Sequence, residues 1–183
     1  MAVGNRACWY KRSAISSKTI PRSVTTWLLD EGSLTQRLVR LCGDEFHVKR
    51  LSECRRRPRL DEMRALGMRG VGQARIRQVL LCAGDTPLVY ARTIIPLTTM
   101  SGSARRLAHM GDRPLGALLF SSRGMRRGPL QISRQPSEWL EKALPSGQVW
   151  GRRSVFYLAE RPLLVAEFFL PSLFAMIAEK DAK

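Results

Sequence analysis

WGRRSVFYLAERPLLVAEFFLP, Trp150 to Pro171, reads as a β-hairpin near the C-terminus. Two apolar-rich runs meet at Glu160-Arg161, which places the loop there, and Pro162 falls where the second strand begins. With that loop, Glu167 faces Ser154 and shares its side of the strand with Leu163, Val165 and Phe169. A carboxylate on an otherwise apolar face is costly unless it has a partner. Two readings stay open: a structural ion pair with nearby Arg152, or a group held in place for chemistry.

A second hairpin is legible in ARIRQVLLCAGDTPLVYARTIIP, Ala74 to Pro96, where Gly84-Asp85 separates two runs rich in branched residues. A loop centred there sets Arg77 directly across from Arg92. Like charges directly opposite repel, so an anion is expected between or above them unless both point to solvent. Val79 and Leu81 continue the face on which Arg75 and Arg77 lie, so the arginines are expected at the rim of a buried site.

At 183 residues and 44% hydrophobic content the chain suits one domain with a real core. Its net charge of +16 calls for an anionic partner without saying which: nucleic acid, anionic lipid or a small acidic metabolite. Cys8, Cys42, Cys54 and Cys82 form no CxxC pair and His47 and His109 stand far apart, so a metal site is not expected. The N-terminus has no apolar signal core, which fits a reducing cytoplasm. The apolar run from Leu163 to Ala178 is interrupted by Glu167 and Pro171 and falls short of the roughly 20 residues a membrane span needs. It reads as strand followed by a terminal helix.

Along the rest of the chain, residues 1 to 20 are basic and serine-containing, reading as a loosely ordered arm or a transit peptide, and Ser23–Leu29 and Ser33–Cys42 are helical candidates. Ser33 and Gln36 have capping-box spacing, so Leu34 is the first helical residue and its backbone N–H is uncommitted. Phe46–Glu53 is expected as a strand, Arg55–Arg59 as a solvated basic loop, and Asp61–Leu66 as a helical turn. Gly102–His109 is a short helix, and in GDRPLGALLF Asp112 caps another, with Pro114 in its first turn and Leu115 offering a free N–H. Each such helix start can bind an anion, though every helix has one. Arg123–Gly128 reads as a basic turn, Leu130–Arg134 as a strand, and 136–148 as helix and loop.

Four blocks in order, WLLDEGSLTQRL, RQVLLCAGDTPLVYARTIIP, PLGALLF and WGRRSVFYLAERPLLVAEFFLP, closely resemble the chorismate lyase family over Trp27 to Pro171. The resemblance implies a single α+β domain over 1–183, an antiparallel sheet of about six strands with helices forming flaps over an enclosed active site. The arm 1–20 and the tail 172–183 match poorly. The implied activity is cofactor-free elimination of pyruvate from chorismate to give 4-hydroxybenzoate, the first committed step towards ubiquinone, by a cytoplasmic monomer. Carried over by position, the family's ligand contacts fall on Leu34, Arg77, Leu115 and Glu167. Leu34 stands where relatives carry methionine, a swap that preserves a backbone contact.

Chorismate is a dianion, so its site needs two cationic or N–H-rich poles. Arg77 with the Leu115 N–H suits the ring carboxylate, and Arg92 is inferred for the enolpyruvyl carboxylate. Glu167 is expected at the ring hydroxyl, as a general base or, if hydrogen passes directly to the enolpyruvyl methylene, as an orienting group. The rival reading is a basic nucleic-acid-binding module. It accounts for the charge and the arginine clusters but offers no recognised motif, has only 7% aromatic residues, and leaves Glu167 unexplained.

Overall fold

The structure, a computed structural model, describes residues 8–16, 19–70, 72–100, 115, 119, 124–141, 144 and 146–182. The expected helix Gly102–His109 and the Asp112 cap lie outside the described residues. Strands β1 (Tyr10–Lys11), β2 (Phe46–Arg56), β3 (Ala74–Ala83), β4 (Thr86–Pro96), β5 (Arg126–Arg127), β6 (Gln131–Pro136), β7 (Gln148–Leu158) and β8 (Arg161–Phe169) form one sheet. Its order is β1-β6-β7-β8-β4-β3-β2, with β5 paired to β7 and every pairing antiparallel. Helices α1 (Arg22–Leu28), α2 (Leu34–Cys42), α3 (Leu60–Ala65) and α4 (Pro171–Asp181) pack around it. The α+β class is as read, and the eight strands exceed the six expected. The surplus includes two-residue pieces, β1 and β5, too short to announce themselves by alternation.

Strand alternation divides the sheet into two buried faces. On the front, Val79, Leu81, Val89, Ala91 and Phe169 pack under α1, α2 and α4 through Val24, Trp27, Leu28, Leu34, Leu38 and Leu173. Leu115 and Leu119 are helical and continue this layer over Ile95, Phe156 and Leu163. On the back, Tyr90, Leu140, Leu144, Ala166 and Phe168 form one cluster and Leu66, Ile76, Ile94 and Leu164 another. Gly151 faces Phe168 across the β7–β8 ladder, and a Cβ there would sit 2.3 Å from the ring, so only glycine fits.

Both hairpins form, and both depart in register from the sequence reading. The β7–β8 loop is Ala159-Glu160, not Glu160-Arg161, with φ of 49° and 59°. Left-handed conformations at both loop positions match the twist of the flanking strands, which is worth their local cost even without glycine. The shift keeps Glu167 on its face but moves its partner from Ser154 to Arg152. In β3–β4 the Gly84-Asp85 turn pairs Ala83 with Thr86 and Cys82 with Pro87 as expected, but Leu81 then pairs with Val89. Leu88 is the extra residue of a bulge. Its carbonyl accepts from the Leu170 N–H at the start of α4, while Ser172 Oγ donates to Pro87 O.

That one residue overturns the facing-arginine expectation. Past the bulge Arg77 pairs with Thr93 and Arg92 with Gln78, so Arg77 lies on the front face and Arg92 on the back.

Candidate functional site

On the front face a cavity of about 40 Å³ is lined by Arg77, Val79 and Leu81 of β3, Ala91 and Thr93 of β4, and Val165 and Glu167 of β8. Thr35 of α2, Val48 of β2 and Leu115 also line it. A water needs roughly 10–15 Å³ of such space, so the cavity has room for a few waters, and a ring-sized ligand enters only when the walls part.

Each polar group arrives by a different route. Arg77, only 4% exposed, reaches the cavity because β3 alternates Arg75, Arg77, Val79 and Leu81 onto the front face. Its Nε lies 4.0 Å from Glu53 Oε2, while Glu53 Oε1 takes the Arg75 Nε at 2.6 Å. Leu34 opens α2 behind Ser33, whose Oγ accepts from the Gln36 N–H at 3.4 Å. The Leu34 side chain is buried in the core beneath the helices, leaving its backbone N–H, which has no intrahelical acceptor, as the part a ligand can use. Its neighbour Thr35 lines the cavity.

Glu167 forms the ion pair that the strand pattern left open. Arg152, 2% exposed and opposite it across the ladder, donates from Nε to Glu167 Oε2 at 2.7 Å. Glu167 Oε1 accepts from no described group. The other edge of Arg152 reaches into the connection between α1 and α2: Nη1 donates to Trp27 O at 2.9 Å and to Asp30 O.

The same connection is held from β5. Arg127 donates from Nη1 to Glu31 O at 2.8 Å and from Nε to Ser154 Oγ at 3.1 Å, with its guanidinium 5.3 Å from the Phe156 ring. Burial, and the positive charge of Arg152, push the Arg127 pKa down, with Glu167, Glu31 and Asp30 acting the other way. Within the connection, Arg37 donates to Thr26 O at 2.6 Å and Asp30 Oδ2 at 3.0 Å and lies over the Trp27 ring at 3.8 Å. Burial raises the Asp30 pKa, but the Gly32 N–H, Arg37 and Arg152 outweigh it and hold the carboxyl below its ordinary value. Arg127 was missed in the sequence because two arginines in a basic turn look solvated. The only signal that finds it is the pairing of Arg127 with Phe156, which is not local.

Arg92 belongs to another structure. On the back face its Nε donates to Glu62 Oε1 at 2.6 Å and its Nη2 to Glu62 Oε2 at 3.2 Å, with both side chains almost wholly buried. Burial would lower the Arg92 pKa, but Glu62 more than offsets it and the net shift is upward. Arg153 donates from Nη1 to Asp61 Oδ2 at 2.7 Å, though there burial outweighs the carboxylate and its pKa shifts down, so α3 is anchored to the sheet by two arginine–carboxylate pairs. The expected meeting of Arg92 with Arg77 over one ligand therefore fails. The structure brings together Arg77, Leu115, Glu167 and Thr35, the residue after Leu34 in the first turn of α2, and leaves Arg92 behind the sheet.

Among the described residues no group of His, Cys, Asp and Glu is placed to hold a metal ion. No described helix is long and apolar enough to cross a membrane.

Solved structures share the fold at low identity. The C-terminal domain of PhnF superposes with a TM-score of 0.57 at 15% identity, covering 78% of this chain and 90% of that one. A GntR-family transcriptional regulator from Bacillus cereus gives 0.51 at 14%, covering 70% and 94%. At these identities the likeness is one of fold. In sequence the relatives are nearer: a probable chorismate pyruvate-lyase of Methylococcus capsulatus is 40% identical over 156 residues, 82% of this chain and 96% of its own. One from Pseudomonas aeruginosa bearing the same description is 38% identical over 169 residues, 92% and 94%. The chorismate lyase family model matches residues 3–178, nearly the whole chain and every wall of the cavity, and the protein belongs to the chorismate lyase family.

Proposed function

We propose that the protein is a chorismate pyruvate-lyase acting at the front-face cavity. The observation that carries the reading is the convergence there of a buried arginine, Arg77, and a carboxylate, Glu167, from separate strands onto one apolar space. Arg77 and the Leu115 N–H hold the ring carboxylate, and the Leu34 N–H and Glu167 hold the hydroxyl at the opposite end of the ring. No metal or organic cofactor takes part.

The reaction breaks the ether bond between the ring and the enolpyruvyl oxygen and removes hydrogen from the adjacent carbon, which bears the hydroxyl. Aromatisation drives it, so the protein's work is to fix one conformer, exclude water and stabilise the leaving enolpyruvate. Arg152 takes one oxygen of Glu167, leaving Oε1 for the ligand. In this reading Glu167, anchored by Arg152, orients the hydroxyl, and the hydrogen passes within the substrate to the enolpyruvyl methylene, so that the ether oxygen leaves as the carbonyl of pyruvate.

The protein acts as one cytoplasmic domain, a monomer, without nucleic acid as partner, and supplies 4-hydroxybenzoate for the ubiquinone ring. The test is to incubate chelator-treated protein with chorismate and measure both products. Equimolar pyruvate and 4-hydroxybenzoate are expected, and a folded sample that forms neither ends the proposal. In parallel, salt-titrated oligonucleotide binding should show only weak, sequence-independent association that vanishes at moderate salt.

A further inference from the structure

With Arg92 behind the sheet, the second carboxylate of a chorismate dianion lacks the cation first expected for it. We infer that Arg127 holds the enolpyruvyl carboxylate, an assignment that rests on the chorismate reading above. Substrate chemistry fixes where that carboxylate lies. The ring carboxylate and the hydroxyl are at opposite ends of the ring, and the enolpyruvyl ether is on the carbon next to the hydroxyl. If Arg77 takes the ring carboxylate and Glu167 the hydroxyl, the second carboxylate falls at the Glu167 end.

Arg127 is the cation at that end. Its Nε is on Ser154, which pairs with Val165, a wall of the cavity two residues from Glu167 on the same side of β8. Arg127 donates to Glu31 O and Arg152 to the adjacent Asp30 O, so the two guanidinium groups reach neighbouring residues of one connection.

Its partners mark it out. Arg92, Arg152 and Arg153 each have a carboxylate oxygen within 2.7 Å. Arg127 is half-buried, yet its acceptors are a hydroxyl and a backbone carbonyl, and it forms no ion pair with any described residue. Its Nη2 has no acceptor among the described residues. A half-buried cation with no carboxylate at ion-pair distance among the described residues is suited to take an anionic ligand. Burial and Arg152 act on its pKa in the direction that a bound anion would relieve. The Nη1–Nη2 edge has the fork geometry that carboxylates accept.

Titration of Arg127→Met with chorismate and with 4-hydroxybenzoate, beside wild type, separates this role from a structural one, because the product has lost the enolpyruvyl carboxylate. Chorismate affinity should fall about 10- to 100-fold, the loss of a charge-assisted pair, while product affinity stays within about threefold. Arg127→Lys, which keeps the charge but not the fork, should recover part of the chorismate affinity. It also carries the same comparison if the Met variant does not fold. Equal weakening of both ligands, or unchanged chorismate affinity, overturns the assignment. Wild-type protein that neither converts chorismate nor binds 4-hydroxybenzoate instead overturns the reading beneath it, so the two failures are distinguishable.

Discussion

Replacing Glu167 with Gln preserves size and an acceptor for Arg152 while removing the charge that grips the hydroxyl. If the carboxylate orients and hydrogen moves within the substrate, kcat should fall by no more than about tenfold, the worth of one hydrogen bond. A fall of about 10²- to 10⁴-fold with product affinity retained would assign Glu167 as the base. Single-turnover kinetics on Glu167→Gln decide between these. Glu167 was legible in the sequence because a lone carboxylate on an apolar strand face demands a partner. Which partner was not, because a one-residue slip of the loop shifts the pairing by two, which leaves faces unchanged while exchanging Ser154 for Arg152. Arg77 was legible in the same way, as a cation leading into an apolar face. Leu34 was marked by its capping serine. Arg92 misled for a physical reason: the bulge at Leu88 inserts one residue, and one residue turns a side chain to the other face.

At the level of elements, the end of α1 and its connection to α2 are tied to the sheet through their backbone carbonyls. Trp27 O and Asp30 O accept from Arg152, and Glu31 O accepts from Arg127. Hydrogen bonds to backbone carbonyls leave no pattern of side-chain types, so the residues between the two helical candidates gave no warning in the sequence. Asp30 makes the clamp pH-dependent. Its folded pKa is depressed below its ordinary value, so its contribution is complete above the ordinary carboxylate range and is lost as pH falls through the depressed value. The rate of 4-hydroxybenzoate release, read by the fluorescence of Trp27 beneath Arg37, should therefore rise as pH drops through that window. In Asp30→Asn, release should be fast at neutral pH and lose this dependence. An Asn variant with the wild-type pH profile would remove Asp30 from the clamp.

Across the whole molecule, the sheet is a partition with different chemistry on its two sides. The front carries the cavity, and the back carries the Glu62–Arg92 and Asp61–Arg153 pairs that fasten α3. Removing one member of a buried pair strands the other, so Arg92→Ala should lower unfolding free energy by about 3–5 kcal/mol. It should change chorismate and 4-hydroxybenzoate affinities alike, if at all. Denaturant melts with paired ligand titrations check this, and a loss confined to chorismate would return Arg92 to the substrate site. The α+β class followed from the family resemblance, and the two hairpins and the capped helix read from the residues agree with it. The layering was not readable, because α3 and the two shortest strands derive their places from partners remote in the chain. The most direct test of the account is a diffraction structure with 4-hydroxybenzoate bound. The ligand should lie between β3 and β8 in the front cavity, with its carboxylate on Arg77 and the Leu115 N–H and its hydroxyl on Glu167 Oε1 and the Leu34 N–H. Ligand density behind the sheet against Arg92 and Arg153, with the front cavity closed, would contradict it.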